Sequence, residues 1–387
     1  MSTYHQDQLA GNAASYMKRE PLILLQALRA VAFLSIFLLH SQIQIDGGVI
    51  FTWGGTWGVS IFFILSGFLM AYNYQGNNRI KENGLWYSLK FGIARIRKLY
   101  FLHILLLVLM IVKSGVSSWR SMNVSQWLSL GKRFCIDAVL LQSWHPSPRI
   151  YYSLNGVTWY LSTSLFLYCC FPLIERRLLS QYRNRKMVLG ITALIWGVQS
   201  LASYAAFAVV SALSLGESWI TWSVYIFPVM RLGDFLIGCN LGYLFLYRQP
   251  SRWLSDKRSL LLSGVYVLII LQWCLFVYGC SVSLVQPWWS YAVLYTPTSC
   301  AVIYLLAEKK SAYKRSLVNN FLVFLGNLSP YAFLIHQVAL KWTNGAIWSL
   351  INSYDLDVHG VAFIIAGIAF AITIAFSLLW RRMLSRK

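Results

Sequence analysis

Apolar stretches of about twenty residues recur ten times along this chain, and that pattern restricts its fold more than any other feature. A helix rises about 1.5 Å per residue, so roughly twenty residues cross some 30 Å of hydrocarbon. The runs are Leu22–Ile43, Trp57–Tyr74, Leu99–Val116, Val157–Ile174, Val188–Leu213, Val229–Tyr247, Leu260–Gly279, Trp288–Ala307, Leu328–Ile351 and Val361–Trp380. Charged residues make up only 12% of the chain, about half the share of a soluble protein. The spacing predicts an all-α, polytopic integral membrane protein with about ten transmembrane helices.

The basic residues orient it. With a cytoplasmic amino terminus, the loops and tails on the cytoplasmic side carry 25 of the 33 Lys and Arg, and the external segments carry six. The external six are Lys113, Arg120, Lys132, Arg133, Arg149 and Lys341; Arg29 and Arg231 lie within spans. Such asymmetry follows the positive-inside rule and predicts both termini in the cytoplasm. The net charge of +21 is thereby spread over many loops on one side, which suits anionic lipid and gives no nucleic-acid patch.

The first run is too long for a signal peptide and lacks a small-residue cleavage site after it. We read residues 1–20 as a polar cytoplasmic leader, 21–380 as one transmembrane domain and 381–387 as a basic tail. Nothing in the remaining length suggests an appended extracellular domain. The seven cysteines have no metal-ligand spacing, so neither a structural metal nor a disulfide framework is expected. No Gly-rich nucleotide loop and no G-x-S-x-G elbow occurs.

Chemistry concentrates at ionisable residues inside the apolar runs, where each is costly and is read by default as functional. Arg29 and His40 in the first run are eleven residues apart, about three helical turns or roughly 16 Å, and fall on nearly one face. The second run opens GVSIFFILSGF, with Gly58, Ser60, Ser66 and Gly67 among bulky residues. Small residues also serve close helix contact, so that segment alone decides nothing.

Together, an arginine, ten residues and a histidine, then G-V-x-x-F-F-x-x-S-G-F, resemble the membrane-bound acyltransferase-3 family. The opening LQALRA is similar to the branch that modifies exopolysaccharides. Further similarities are FGIARIRKLY, with Arg95 and Lys98 at the positions of two cations; WYLSTSLFLY, with Trp159 in place and Ser164 where the family carries glutamate; Arg231 with Asp234; and LSPYAFLIH, with Tyr331 and His336. Family members often carry aspartate at the positions of Gln26 and Ser60. The loss of the acid at Ser164 excludes a His–Glu dyad built there.

The resemblance implies an O-acyltransferase of the bacterial inner membrane. It would move an acetyl group from cytoplasmic acetyl-CoA to a hydroxyl of a surface or lipid-linked polysaccharide, with no permanently bound cofactor. In that reading His40 is the base, Arg29 serves both catalysis and the donor, and Ser60 and Ser66 donate to the carbonyl. Arg29, Arg95 and Lys98 hold the coenzyme phosphates, because guanidinium and ammonium groups pair well with phosphate. Arg231, Asp234, His336, Tyr331 and Trp159 form a secondary set, with Arg231 and Asp234 read as a neutralised pair on one helical face. Two other classes share the span number and charge bias: a transporter or flippase of a lipid-linked glycan, and a membrane scaffold in a glycan-synthesis complex.

Overall fold

The computed structural model describes residues 20–41, 44–45, 48–49, 52–77, 80, 84–118, 120–248, 252–281, 285–308, 317–354 and 358–385. The leader read over 1–20 lies outside these residues except for Glu20, and the tail read over 381–387 is described as far as Ser385, as the end of a helix.

The principal helices are α1 Ile23–His40, α2 Thr52–Tyr74, α3 Leu85–Ser118, α4 Val124–Ala138, α5 Trp159–Arg177, α6 Arg185–Ala212, α7 Leu232–Leu246, α8 Arg252–Ser281, α9 Thr296–Ala307, α10 Leu317–Tyr354 and α11 Val358–Ser385. The described residues are otherwise turns and short helical pieces, apart from a two-residue antiparallel pairing of Gln44 with Val49 and Ile45 with Gly48. Six described stretches are by length and apolarity able to cross a membrane: Ile23–His40, Gly54–Tyr74, Gly156–Gln181, Arg185–Ala212, Asn320–Ala346 and Val361–Ser385.

One of the expected spans is broken, and irregular backbone leads into another. Ahead of the sixth, Val229–Tyr247, a π-turn at Trp222–Ile226 ends at extended Phe227, and α7 begins at Leu232. Pro228 explains the break: it has no N–H for a helical bond and disfavours helix at the residue before it. In the eighth, short pieces at Pro287–Ser290 and Val293–Tyr295 precede α9, which has Pro297 in its first turn. In both places a helix shorter than twenty residues adjoins irregular backbone packed inside protein, a setting in which such backbone is tolerated.

In lipid, apolar side chains gain little by leaving the bilayer, so helices associate through close packing and polar contacts. Gly67 on α2 and Gly238 on α7 face one another's chains: a methyl at Gly67 would overlap the Phe235 carbonyl, and one at Gly238 the Ile64 carbonyl. On the other side, a methyl at Gly326 of α10 would overlap the Gln26 carbonyl of α1. These contacts bring α1, α2, α7 and α10 into one core, filled by Phe33, Ile36, Phe63, Phe68 and Phe235. By contrast, α6 leaves Leu189, Leu194, Leu201 and Val209 exposed and presents an apolar outer face.

Proline 330 sits inside α10 and deprives the Gly326 carbonyl of its helical donor. The Ser329 hydroxyl donates to that carbonyl at 2.8 Å, so α10 continues without a break toward His336.

Candidate functional site

Close packing at Gly326 sets α1 and α10 side by side, and the two histidines meet ten residues further along α10. His40 Nδ1 and His336 Nε2 are 2.9 Å apart, across 296 positions of sequence. His336 Nδ1 also lies 2.8 Å from the Phe333 carbonyl. A carbonyl only accepts, so His336 Nδ1 carries a proton; the neutral ring then offers Nε2 as acceptor, and His40 Nδ1–H donates to it. His40 Nε2 is left with its lone pair. His336 is fully buried, and the rings of Phe33, Phe37 and Phe333 surround it at 5.8, 6.1 and 5.8 Å between centroids.

Two cavities approach this pair from the Arg29 end of α1. The larger, about 540 Å³, is lined by Glu20, Gln26, Arg29, Asn73, Tyr74 and Arg95 among others. The smaller, about 160 Å³, lies further along, against Phe62, Tyr160, Leu161, Pro330 and Phe333. Arg29, Ser66 and Tyr168 line both, which makes them neighbouring parts of one path. Arg29 donates to Gln26 Oε1 at 3.2 Å, and the Tyr168 hydroxyl to Ser66 Oγ at 3.4 Å. Arg95 donates to the Tyr74 hydroxyl and lies over the Tyr74 and Phe91 rings at 5.0 and 5.2 Å, an arrangement that holds the guanidinium at the cavity wall.

The other sequence-predicted residues are distributed differently. Lys98 is exposed on α3 and is not among the residues lining either cavity. Ser60 is buried away from Ser66 and accepts from Arg231 Nη2 at 3.1 Å. Arg231 and Asp234, both fully buried, pair at 2.6 Å; Gln199 donates to the second carboxylate oxygen at 3.1 Å, and Arg231 lies over the Phe63 and Tyr225 rings. This is the neutralised pair expected from the three-residue spacing. Trp159 is buried against Tyr225 and Phe63. Tyr331, half-buried on α10, feels Arg381 on α11.

On the far side of His336, the segment before α5 is tied to α10. Asn155 Nδ2 donates to the Leu334 carbonyl at 2.8 Å, Lys341 Nζ to Leu154 at 3.2 Å, and Lys113 Nζ to Lys341 at 2.8 Å. Nearby, Asp137 of α4 is buried, and burial pushes its carboxyl up to about 7, against smaller opposing effects of Ser153 and Arg133. Among the described residues no group of three or more His, Cys, Asp or Glu side chains can hold a metal ion.

Sequence reasoning missed Gln26, Tyr160, Tyr168 and Phe333 as cavity residues. For the two tyrosines the signal was present: Tyr160 and Tyr168 are eight apart in WYLSTSLFLY, two turns along one face of α5.

A family model described as an acyltransferase domain matches residues 23–380. A curated relative, the acyltransferase MdmB of Streptomyces mycarofaciens, is 24% identical over 337 residues, which is 82% of this chain and 79% of the relative. No solved structure matches the chain. With the family model spanning nearly its whole length, this multi-pass membrane protein belongs to the acyltransferase-3 family.

Proposed function

We propose that the protein is an O-acyltransferase of the bacterial inner membrane, taking an acetyl group from cytoplasmic acetyl-CoA to a hydroxyl of a surface or lipid-linked polysaccharide on the outer side. The observation that carries this reading is the chain from the Phe333 carbonyl through His336 to His40, which leaves His40 Nε2 with a lone pair, the Phe333 ring standing between His336 and the smaller cavity. A hydroxyl becomes a nucleophile when a positioned base takes its proton, and a base oriented by a second group is the usual arrangement for that task.

His40 Nε2 takes the proton of the acceptor hydroxyl, whose oxygen attacks the thioester carbonyl. The carbon–sulfur bond breaks, the ester bond forms, and the proton passes from His40 to the coenzyme sulfur. His336 supplies what the absent acid at Ser164 cannot, a fixed acceptor for His40 Nδ1–H. Arg29 and Arg95, on the wall of the larger cavity, pair with the coenzyme's phosphates, while Ser66 and Tyr168 offer hydroxyl donors where the two cavities meet. Ser60, engaged with Arg231, acts in the structural pair.

The test uses purified protein in sealed vesicles, with labelled acetyl-CoA on the side of the basic loops and extracted glycan on the other. Ester label on the glycan, matched by free coenzyme A, supports acyl transfer. Glycan crossing the membrane with the thioester intact would support the transporter class and overturn this reading.

A further inference from the structure

The smaller cavity has a size and an end wall that bear on its contents. An apolar cavity of roughly 150 Å³ holds one benzene, or six heavy atoms. This one is about 160 Å³. An acetyl group with its thioester sulfur and the next two carbons of the coenzyme arm also comes to about six heavy atoms on that scale. An acetyl thioester presented to this chamber would fill it, and each further methylene at its acyl end would need space that the end wall occupies.

Three rings from three helices form the far wall. Phe62 of α2, Tyr160 of α5 and Phe333 of α10 touch pairwise, at centroid distances of 6.0, 5.9 and 5.1 Å. Tyr160 is backed in turn by the Phe63 ring at 4.6 Å. Because Ser329 restores the partner that Pro330 removes, the α10 backbone under Phe333 is held rather than loose. Behind Phe333 lies His336, so the chamber stops one ring short of the histidine pair.

We infer that Phe62, Tyr160 and Phe333 determine the length of the transferred acyl group, accepting acetyl and rejecting chains longer by two or more carbons. The inference rests on the acyltransferase reading above and adds the size class of its donor. A donor entering past Arg29 presents its acyl end first, and that end meets the three rings. The chemical step is unchanged: the thioester bond breaks, the ester bond forms, and the hydroxyl proton ends on the coenzyme sulfur.

The experiment compares acetyl-, butyryl- and hexanoyl-CoA with the purified full-length protein and one glycan acceptor, for wild type, Phe62→Ala and Phe333→Leu. Phe333→Leu keeps the carbonyl that anchors His336. A methylene in a pocket of fixed size changes kcat/KM by roughly 10- to 200-fold, so wild type should favour acetyl over butyryl by at least about tenfold, and hexanoyl should be poorer still. Each ring variant should narrow the acetyl-to-butyryl ratio by about tenfold or more. The ratio compares two donors on one preparation, so partial loss of folded protein cancels; if both ring variants fail to fold, Leu161→Ala enlarges the side of the same chamber and should narrow the ratio likewise. Equal use of the three donors by wild type, or an unchanged ratio in the folded variants, overturns the inference. Turnover of no thioester by wild type is a different result, and it overturns the acyltransferase reading instead.

Discussion

His40 Nδ1 and His336 Nε2 sit 2.9 Å apart at the junction of α1 and α10, and the Phe333 carbonyl fixes which nitrogen of each ring bears the proton. Removing His336 leaves His40 in place without its side-chain partner on α10. His336→Ala should therefore reduce the transfer rate by one to several powers of ten with little change in acceptor KM, within the range of about 10²–10⁴ typical for general acid–base catalysis. His336→Gln, which can still accept from His40 Nδ1–H, should recover part of the loss. Steady-state kinetics on folded variants check this, and equal rates for wild type and His336→Ala would remove His336 from the mechanism.

The proposed donor contacts divide the three cations read as holding the coenzyme phosphates. Arg29 and Arg95 line the larger cavity, and Lys98 is exposed outside it. Arg29→Ala and Arg95→Ala should raise the KM for acetyl-CoA by roughly ten- to hundredfold, the effect of one hydrogen bond to a charged group. Lys98→Ala should leave it unchanged. A KM rise in Lys98→Ala equal to the other two would mean that the phosphates bind on the α3 surface instead.

How far the site was legible in the sequence follows from how local each relation is. Arg29 and His40 share one helix, so eleven residues at 100° each place them on one face, and in the structure both face α10. Arg231 and Asp234 are likewise one turn apart, and they pair. The partnership of His40 with His336 depends on how α1 and α10 pack across most of the chain, and no local pattern encodes it. Ser60 looked like a neighbour of Ser66 because both lie on α2, yet six residues of helix turn them to different faces, one toward Arg231 and one toward the cavities. The eighth span was read as continuous from apolarity alone, which does not register the short helical pieces that precede α9 and its Pro297.

The Arg231–Asp234 pair makes a prediction about stability. Breaking a buried ion pair from one side leaves an uncompensated charge and typically costs about 3–5 kcal/mol, whereas an apolar replacement of both partners is often neutral. Asp234→Leu should lower the thermal midpoint sharply, and Arg231→Met with Asp234→Leu should recover most of it. Thermal unfolding in detergent measures both, and additive losses in the double variant would contradict the account.

Asp137 predicts a pH dependence. Burial raises its carboxyl in the folded protein to about 7 from an ordinary value of 3.8, so between those values the folded state binds more protons than the unfolded state. Its contribution to stability is fully present below about pH 4 and is lost as pH rises through 7, at most on the order of 4 kcal/mol at 1.36 kcal/mol per unit. Asp137→Asn should remove this slope and should be the more stable protein at pH 8. Midpoints that fall in parallel for both proteins from pH 5 to 8 would show that other groups are responsible.

Packing at Gly238 is tested by Gly238→Ala. The added methyl would overlap the Ile64 carbonyl, a backbone atom that cannot swing away, so α2 and α7 must separate. Overpacking of this kind costs about 1–3 kcal/mol, and the thermal midpoint should fall accordingly. An unchanged midpoint would mean that the two helices cross less closely than described.

The central claim is that His40 is the base that activates the acceptor hydroxyl. Its most direct test is transfer of labelled acetyl from acetyl-CoA to surface glycan by purified wild-type protein and by His40→Ala, with folding of both verified by thermal unfolding. The account predicts label on the glycan with wild type and a loss of about 10²–10⁴ with His40→Ala. Equal labelling by the two proteins would contradict it.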